Sequence, residues 1–395
     1  MTLAIIRLMR ALLLGFVVVA GALAYWQMIQ APQLVARADN PRLIQAERRI
    51  HRGRLLDRTG AVLAYSAPQP GPGHTDIFRR HYPQPATAHL VGYYSLRYGS
   101  SGCEAVFDPI LRGRRTWLEA LLHRSQRGED VFLSADLATM RLADAELGYH
   151  VGAFIALDIT SGALLTMVSH PAYDPNRLEE TWKTLTADPS APLLNRATQG
   201  IYPVGDLARW IGLAGLLSAG TTTPPDPLHT SLEELLAPLS RMGYLATAHQ
   251  LGFSQRPPIA LPASPGRLPR FDGRETERDL AVTPLHMARL AAAVAGDGRM
   301  PGVELRHPAA ASAGERAFSE RVARTLRALT PTYNGLAGWV GVALPVETGR
   351  APLTWLVGYA PATQPCVAFA LVLEDGDNRP AALSIAHRVV AALLP

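Results

Sequence analysis

Lysine is nearly missing from this chain: Lys183 is the single one, and every other basic residue apart from histidine is arginine. Arginine keeps its proton in a protein, whereas a buried lysine can lose it, so a reaction needing a lysine base has one candidate. Its context, E-E-T-W-K over 179–183, reads as a solvated helix face. Cysteine is scarce as well. Cys103 and Cys366 are too few for a disulfide framework, and Cys366 lies in an apolar run where a free buried thiol is the default. Both are expected to be structural. The 12 histidines show no H-E-x-x-H or paired metal spacing, and no G-x-S-x-G, Walker loop or helix-opening G-x-G-x-x-G occurs. No cofactor and no metal are expected. The arginines are dispersed rather than gathered into a stripe, so nucleic acid is not an expected partner.

What is present is ordinary in bulk and marked at one end. The length suggests two or three domains, and 48% hydrophobic with 18% charged residues suits a globular chain with one membrane segment. A formal net charge of +5 gives a mild attraction to anionic surfaces. Residues 11–28 carry no charge and approach the ~20 apolar residues of a spanning helix. Arg7 and Arg10 precede the run and Tyr25-Trp26 close it, as the positive-inside rule and the aromatic belt require. The length of the run favours a retained single-pass anchor, with the N-terminus cytoplasmic and the bulk of the chain extracytoplasmic. A cleaved signal peptide ending near Ala22-Leu23-Ala24 is the other reading. Both export the remainder.

After the anchor, R-G-R-L-L-D-R-T-G-A-V-L-A over 52–64 reads as a hairpin turning at Thr59-Gly60. A polar segment, R-S-Q-R-G over 124–128, marks the main domain boundary. Beyond it, 137–147 has helical spacing, and 152–158 with 163–169 forms a buried hairpin. The stretch that organises the chain is L-N-R-A-T-Q-G-I-Y-P-V-G-D-L-A-R-W over 194–210: an irregular segment closed by Pro203 and Gly205, then a helix opening at Asp206. Read by itself, Thr230 or Ser231 followed by Glu233 or Glu234 is a helix capping box.

These words together resemble the class B penicillin-binding proteins. The 52–64 hairpin resembles the family's R-G-x-I-x-D-R-x-G-x-x-L-A stalk signature. Gly102-Cys103-Glu104 with Asp108 and Gly113 resembles G-L-E-x-x-x-D-x-x-L-x-G, where stalk packing is the expected role of Glu104 and Asp108. S-H-P-A-Y-D-P-N over 169–176, V-T-P-L-H-M-A over 282–288 and W-L-V-G-Y-A-P over 355–361 follow in family order. The resemblance implies an α/β (α+β) transpeptidase-like domain with a five-stranded antiparallel sheet between helices. A small β-rich stalk and one transmembrane helix would precede it. The implied limits are 1–30 for the tip and anchor, 31–128 for the stalk and 129–395 for the transpeptidase-like domain.

The family's three catalytic motifs are S-x-x-K, S-x-N and K-T-G. The first matches Asp206 and Arg209, the second Ser231 and Glu233, and the third Glu347, Thr348 and Gly349. No S-x-N occurs anywhere in the chain. A carboxylate attacking a carbonyl yields a readily hydrolysed anhydride, and Arg209 cannot act as a base. An Asp206–Arg209 pair at i,i+3 spacing is the expected use of those residues. The resulting expectation is a catalytically inactive scaffold or regulator of peptidoglycan synthesis or cell division. Its partners would be a polytopic cell-wall glycosyltransferase or division-complex proteins, and the peptidoglycan stem peptide as a bound ligand. The alternative is an active D,D-transpeptidase or carboxypeptidase using non-standard residues.

Overall fold

The computed structural model describes residues 2–30, 41–70, 76–115, 125–271, 275–309, 314–345 and 351–394. Two units are distinguished: Met1–His51 with Pro68–Arg79 and Arg115–Gln126, and Arg52–Ala67 with Arg80–Arg114 and Arg127–Pro395. In the first, helix α1 (Thr2–Ala24) continues into a π-helical turn, Tyr25–Gln30. Its stretch Ile5–Met28, charged only at Arg7 and Arg10, is long enough to cross a membrane, and none of it is buried. An apolar helix exposed all round is a poor solute and a good membrane span. Within the same unit the His51 ring leans on Phe78 at 4.7 Å.

The second unit opens with a stalk hairpin. Strand β1 (Leu55–Leu56) pairs antiparallel with β2 (Val62–Pro70); the end of β2 and most of strand β3 (Asp76–His81) are counted with the first unit. β1 also pairs in parallel with β4 (Val131–Phe132), so the stretch after the 124–128 segment returns to the stalk sheet. Asp57 explains the stalk signature in physical terms. Its Oδ1 accepts the backbone N–H groups of Thr59 and Ala61, both at 2.8 Å, and the Thr59 hydroxyl, closing the turn. Its Oδ2 accepts the Leu137 N–H at 3.1 Å, at the start of helix α2 (Leu137–Leu147). One buried carboxylate therefore caps both a turn and a helix.

The main sheet holds β5 (Gly152–Asp158), β6 (Leu164–His170), β7 (Leu336–Ala343), β8 (Leu353–Ala360) and β9 (Val367–Leu373). Its order is β7-β8-β9-β5-β6, antiparallel throughout, with a two-residue strand, Thr332–Tyr333, added outside β7. The five expected strands are there, and the Asn334-Gly335 turn adds the sixth, short one. Every residue of β8 and β9 is buried, which for an antiparallel strand means that both faces are covered.

The irregular 194–210 stretch leads into helix α3 (Ala208–Ser218), which packs against α4 (Leu232–Leu236) and α5 (Arg241–Gln250). Helix α6 (Pro284–Ala295) lies on β8, β9 and β5, and α7 (Glu320–Leu329) packs on α6 and α3. Helix α8 (Arg379–Leu393) packs with α2 and on β8 and β9. α3 is buried nearly all round, so its place is set by packing rather than by an amphipathic stripe. Trp355 and Tyr359 on β8 are 0% and 1% exposed, each contributing about 1.5–3 kcal/mol by burial.

Candidate functional site

The frame around 194–206 is held by buried polar contacts. Arg196 donates from Nε to Glu374 Oε1 at 2.7 Å and from its other nitrogens to the carbonyls of Ala191 and Ser190. The Tyr202 hydroxyl donates to the same Glu374 oxygen at 2.7 Å. Burial, then Glu374, pushes the Tyr202 phenol well above its ordinary range. Tyr202–Pro203 pairs antiparallel with Ala281–Val282, and the Trp355 indole donates to the Pro203 carbonyl at 2.9 Å. Gly205 follows at φ +53, where a Cβ would fall 2.3 Å from the Val342 carbonyl. Only glycine both turns there and passes so close to β7.

That close passage delivers Asp206 to the strand. Its Oδ2 accepts the Val342 N–H at 3.1 Å, and its Oδ1 accepts Arg278 Nη1 at 2.8 Å. Gly341 leaves room for it, since a Cβ there would stand 2.9 Å from the Asp206 Cβ. The expected Asp206–Arg209 pair is not formed. Arg209 instead donates to the Pro227 carbonyl in the proline-rich loop, and the ion partner of Asp206 is Arg278. Arg278 sits in the 3-10 turn Glu277–Asp279, closed by reciprocal Thr276–Asp279 hydrogen bonds. Three residues of sequence separation put Arg209 along the helix from Asp206, but the loop carbonyl lies nearer to its reach. Nothing in local spacing points to a partner 72 residues away.

The residues matched to the second motif make local contacts. Ser231 is the N-cap of α4, accepting the Glu234 N–H at 3.2 Å, while the Glu234 carboxylate accepts the Ser231 N–H at 3.3 Å. That is the expected capping box, formed by Ser231 and Glu234. Glu233 is exposed, and among the described residues neither Ser231 nor Glu233 bonds to Asp206 or Arg209.

Glu347, Thr348 and Gly349 lie outside the described residues. The strand that touches Asp206 reads Gly338-Trp339-Val340-Gly341-Val342, ahead of the place where they fall. Trp339 stands two residues before Gly341, hence on the same face of β7 as the Asp206 contact. It is 4% exposed, and its indole N–H has no acceptor among the described residues; the same is true of Trp210 on α3. The sequence signal that could have found this strand is the Gly-x-x-Gly spacing. It stands one hairpin length before W-L-V-G-Y-A-P, which pairs with it residue for residue.

Lys183 is exposed on the helix Leu178–Ala187. Cys103 and Cys366 are both free thiols; Cys103 is fully buried, and burial pushes its thiol up. Among the described residues no group of three or more His, Cys, Asp or Glu side chains is placed to hold a metal ion. Among the described residues, Asp206 is a carboxylate engaged by Arg278 and the Val342 N–H, whereas acyl transfer uses a hydroxyl with an adjacent base.

Comparison with known proteins decides the family. The chain is 30% identical over 445 aligned positions to the peptidoglycan D,D-transpeptidase PbpA of Mycolicibacterium smegmatis, covering 89% of this chain and 90% of that one. It belongs to the class B penicillin-binding proteins. As a penicillin-binding protein it also resembles PbpA of Mycobacterium tuberculosis, at 28% identity over 89% of this chain and 90% of that protein. Residues 52–131 match the penicillin binding protein A dimerisation domain. The crystal structure of PBPA from Mycobacterium tuberculosis superposes with a TM-score of 0.76 at 26% identity, covering 87% of this chain and 100% of that one. The imipenem acyl-enzyme complex of the same mycobacterial protein also matches at a TM-score of 0.76, with 26% identity over 89% of this chain and 100% of that one. The penicillin-binding fold is thus kept.

Proposed function

We propose that this class B penicillin-binding protein is catalytically inactive and serves peptidoglycan synthesis as a membrane-anchored scaffold or regulator. The observation that carries the reading is the state of Asp206. It stands where the family's S-x-x-K serine is expected, and both its oxygens are engaged, one by Arg278 and one by the Val342 N–H. A serine nucleophile is a neutral hydroxyl made reactive by a neighbouring base. Asp206 has no hydroxyl to activate, and Arg209 cannot accept a proton. A strand N–H beside a nucleophile is suited to stabilise a developing oxyanion, and here the chain's own carboxylate occupies it.

The third motif is assigned to Trp339-Val340-Gly341 rather than to 347–349. Gly341 is the residue that must be small against position 206, and Trp339 then replaces the lysine whose charge would hold a substrate carboxylate. The anchor reading places the N-terminus in the cytoplasm, because Arg7 and Arg10 precede the apolar run. Peptidoglycan stem peptide remains the proposed ligand of the cleft, and a polytopic wall glycosyltransferase or division protein the proposed partner.

Labelling the purified full-length protein with a fluorescent penicillin tests the catalytic part. The expected result is no covalent, competable label. A penicilloyl adduct on any side chain, found by mass spectrometry, overturns the reading.

A further inference from the structure

Among the described residues, two of the buried donors left without an acceptor belong to one cluster in the stalk: Arg52 Nε and Arg80 Nη2. The Arg52 and Arg80 side chains are 3% and 4% exposed, and Glu104 between them is 0% exposed. Arg52 donates from Nη2 to Glu104 Oε2 at 3.0 Å and to the Glu104 carbonyl at 3.3 Å, and from Nη1 to Asp108 Oδ1 at 2.5 Å. Arg80 donates from Nε to Glu104 Oε1 at 2.6 Å, and from Nη1 to the Gly53 carbonyl at 2.7 Å and Ser66 Oγ at 3.3 Å.

The shape of the guanidinium decides where the two idle donors point. Nε–H and Nη2–H are parallel prongs of one rigid fork. Arg52 commits Nη2 to Glu104 and leaves Nε idle; Arg80 commits Nε to Glu104 and leaves Nη2 idle. Each idle prong thus belongs to a guanidinium that already holds the same carboxylate. The Tyr82 phenol faces the cluster as well: burial, then Glu104, pushes its pKa up, while Arg80 and Arg52 pull it down. Its oxygen accepts the Tyr94 N–H at 2.7 Å, and the Tyr94 ring lies 4.1 Å under the Arg52 guanidinium.

The charge balance decides which kind of acceptor suits both prongs. Two guanidinium cations meet two carboxylates, Glu104 and Asp108, so a further anion would be a buried charge without a counterion. A neutral acceptor with two lone pairs satisfies both prongs, and its own hydrogens can return to Glu104. We propose that a single internal water sits on the Glu104 carboxylate, accepting from Arg52 Nε and Arg80 Nη2. It completes a neutral, fully bonded joint among the segment before β1, strand β3 and the helices Gly102–Val106 and Asp108–Arg112.

Crystals of the full-length protein in detergent test this, grown in halide-free buffer and again after a bromide soak. The expected result is one solvent peak within hydrogen-bond distance of both nitrogens, with no anomalous bromine signal at that point. Bromide in the peak makes the ligand an anion and overturns the proposal. So do two separate waters, an empty gap, or prongs turned onto protein acceptors. In solution, the Nε-15N-labelled arginine spectrum should show a cross-peak from a long-lived water to the Arg52 Nε–H. Ser66→Ala, which keeps both prongs, should retain it, and Arg80→Lys, which removes one, should abolish it. A cross-peak unchanged in Arg80→Lys contradicts a shared water. If Arg80→Lys does not fold, the crystallographic result decides.

Discussion

Arg278 closes on Asp206 at 2.8 Å, from a turn that lies 72 residues further along the chain. The pair is partly exposed, at 48% and 33% of the two side chains. Its worth in stability is accordingly small, at or below about 1 kcal/mol. Arg278→Ala should move the denaturation midpoint only slightly and should not produce penicillin labelling. A large loss of stability in urea titrations would contradict a surface contact, and any labelling would contradict the proposed inactivity.

The strand contact separates two assignments of the third motif. With Asp206→Ser and Arg209→Lys in place, Trp339→Lys should give measurable acylation by a fluorescent penicillin. Glu347→Lys in the same background should not. The melting temperature is followed in parallel, because a lysine at a buried position is destabilising by itself. Acylation in the 347 series alone would return the motif to Glu347-Thr348-Gly349.

Glu374 binds both Arg196 and Tyr202, so its loss strands a guanidinium that is 4% exposed at the side chain. Glu374→Ala should cost about 3 kcal/mol, the lower end expected when one partner of a buried pair is removed. Chemical denaturation measures it, and Glu146→Ala, at an exposed pair with Arg388, serves as the comparison with little effect.

Asp57 predicts an acid-sensitive joint. Burial would raise its pKa, but hydrogen bonds from Thr59, Leu137 and Ala61 outweigh that and hold the carboxyl below its usual value of 3.8. A depressed folded pKa stabilises above the unfolded value and loses that stabilisation as pH falls through the folded one. Asp57→Asn should flatten the acid limb of the stability profile below pH ~4 and cost about 1 kcal/mol at pH 7 through the weakened helix cap.

His89 and His286 act at milder pH. Burial is the leading cause that pushes both down to about 4 from 6.5; the Nε2–H of each reaches a backbone carbonyl, Pro192 for His89 and Gln255 for His286. Unfolding lets each take up a proton. Stability should be full above pH 6.5 and fall as pH drops toward 4, by up to about 3 kcal/mol for each histidine. His286→Gln should remove its share of that slope, read from urea midpoints at pH 7.5, 6 and 5. An unchanged slope would show that this imidazole is not held neutral in the fold.

Much of the framework was readable from residue order. Helix Leu137–Leu147, the Gly152–Asp158 hairpin arm and the Ser231 cap stand where spacing and turn chemistry placed them, because those signals act within a few residues. The pocket was less readable. Asp206 and Arg209 could be read as departures from S-x-x-K, but the natural guess paired them with each other. The strand that touches Asp206 carries no such mark, because Gly338-Trp339-Val340-Gly341 does not resemble K-T-G as text.

By composition and order alone, the chain determined an apolar N-terminal span, a scaffold of hairpins and helices, and an expected first-motif place without serine or lysine. Those properties belong to single residues or to neighbours along the backbone. Which groups meet inside the pocket was decided only by the fold. A hydrogen bond or an ion pair depends on distance in space, and the sheet register that sets Val342 against Asp206, or the turn that carries Arg278 to it, leaves no trace in local spacing.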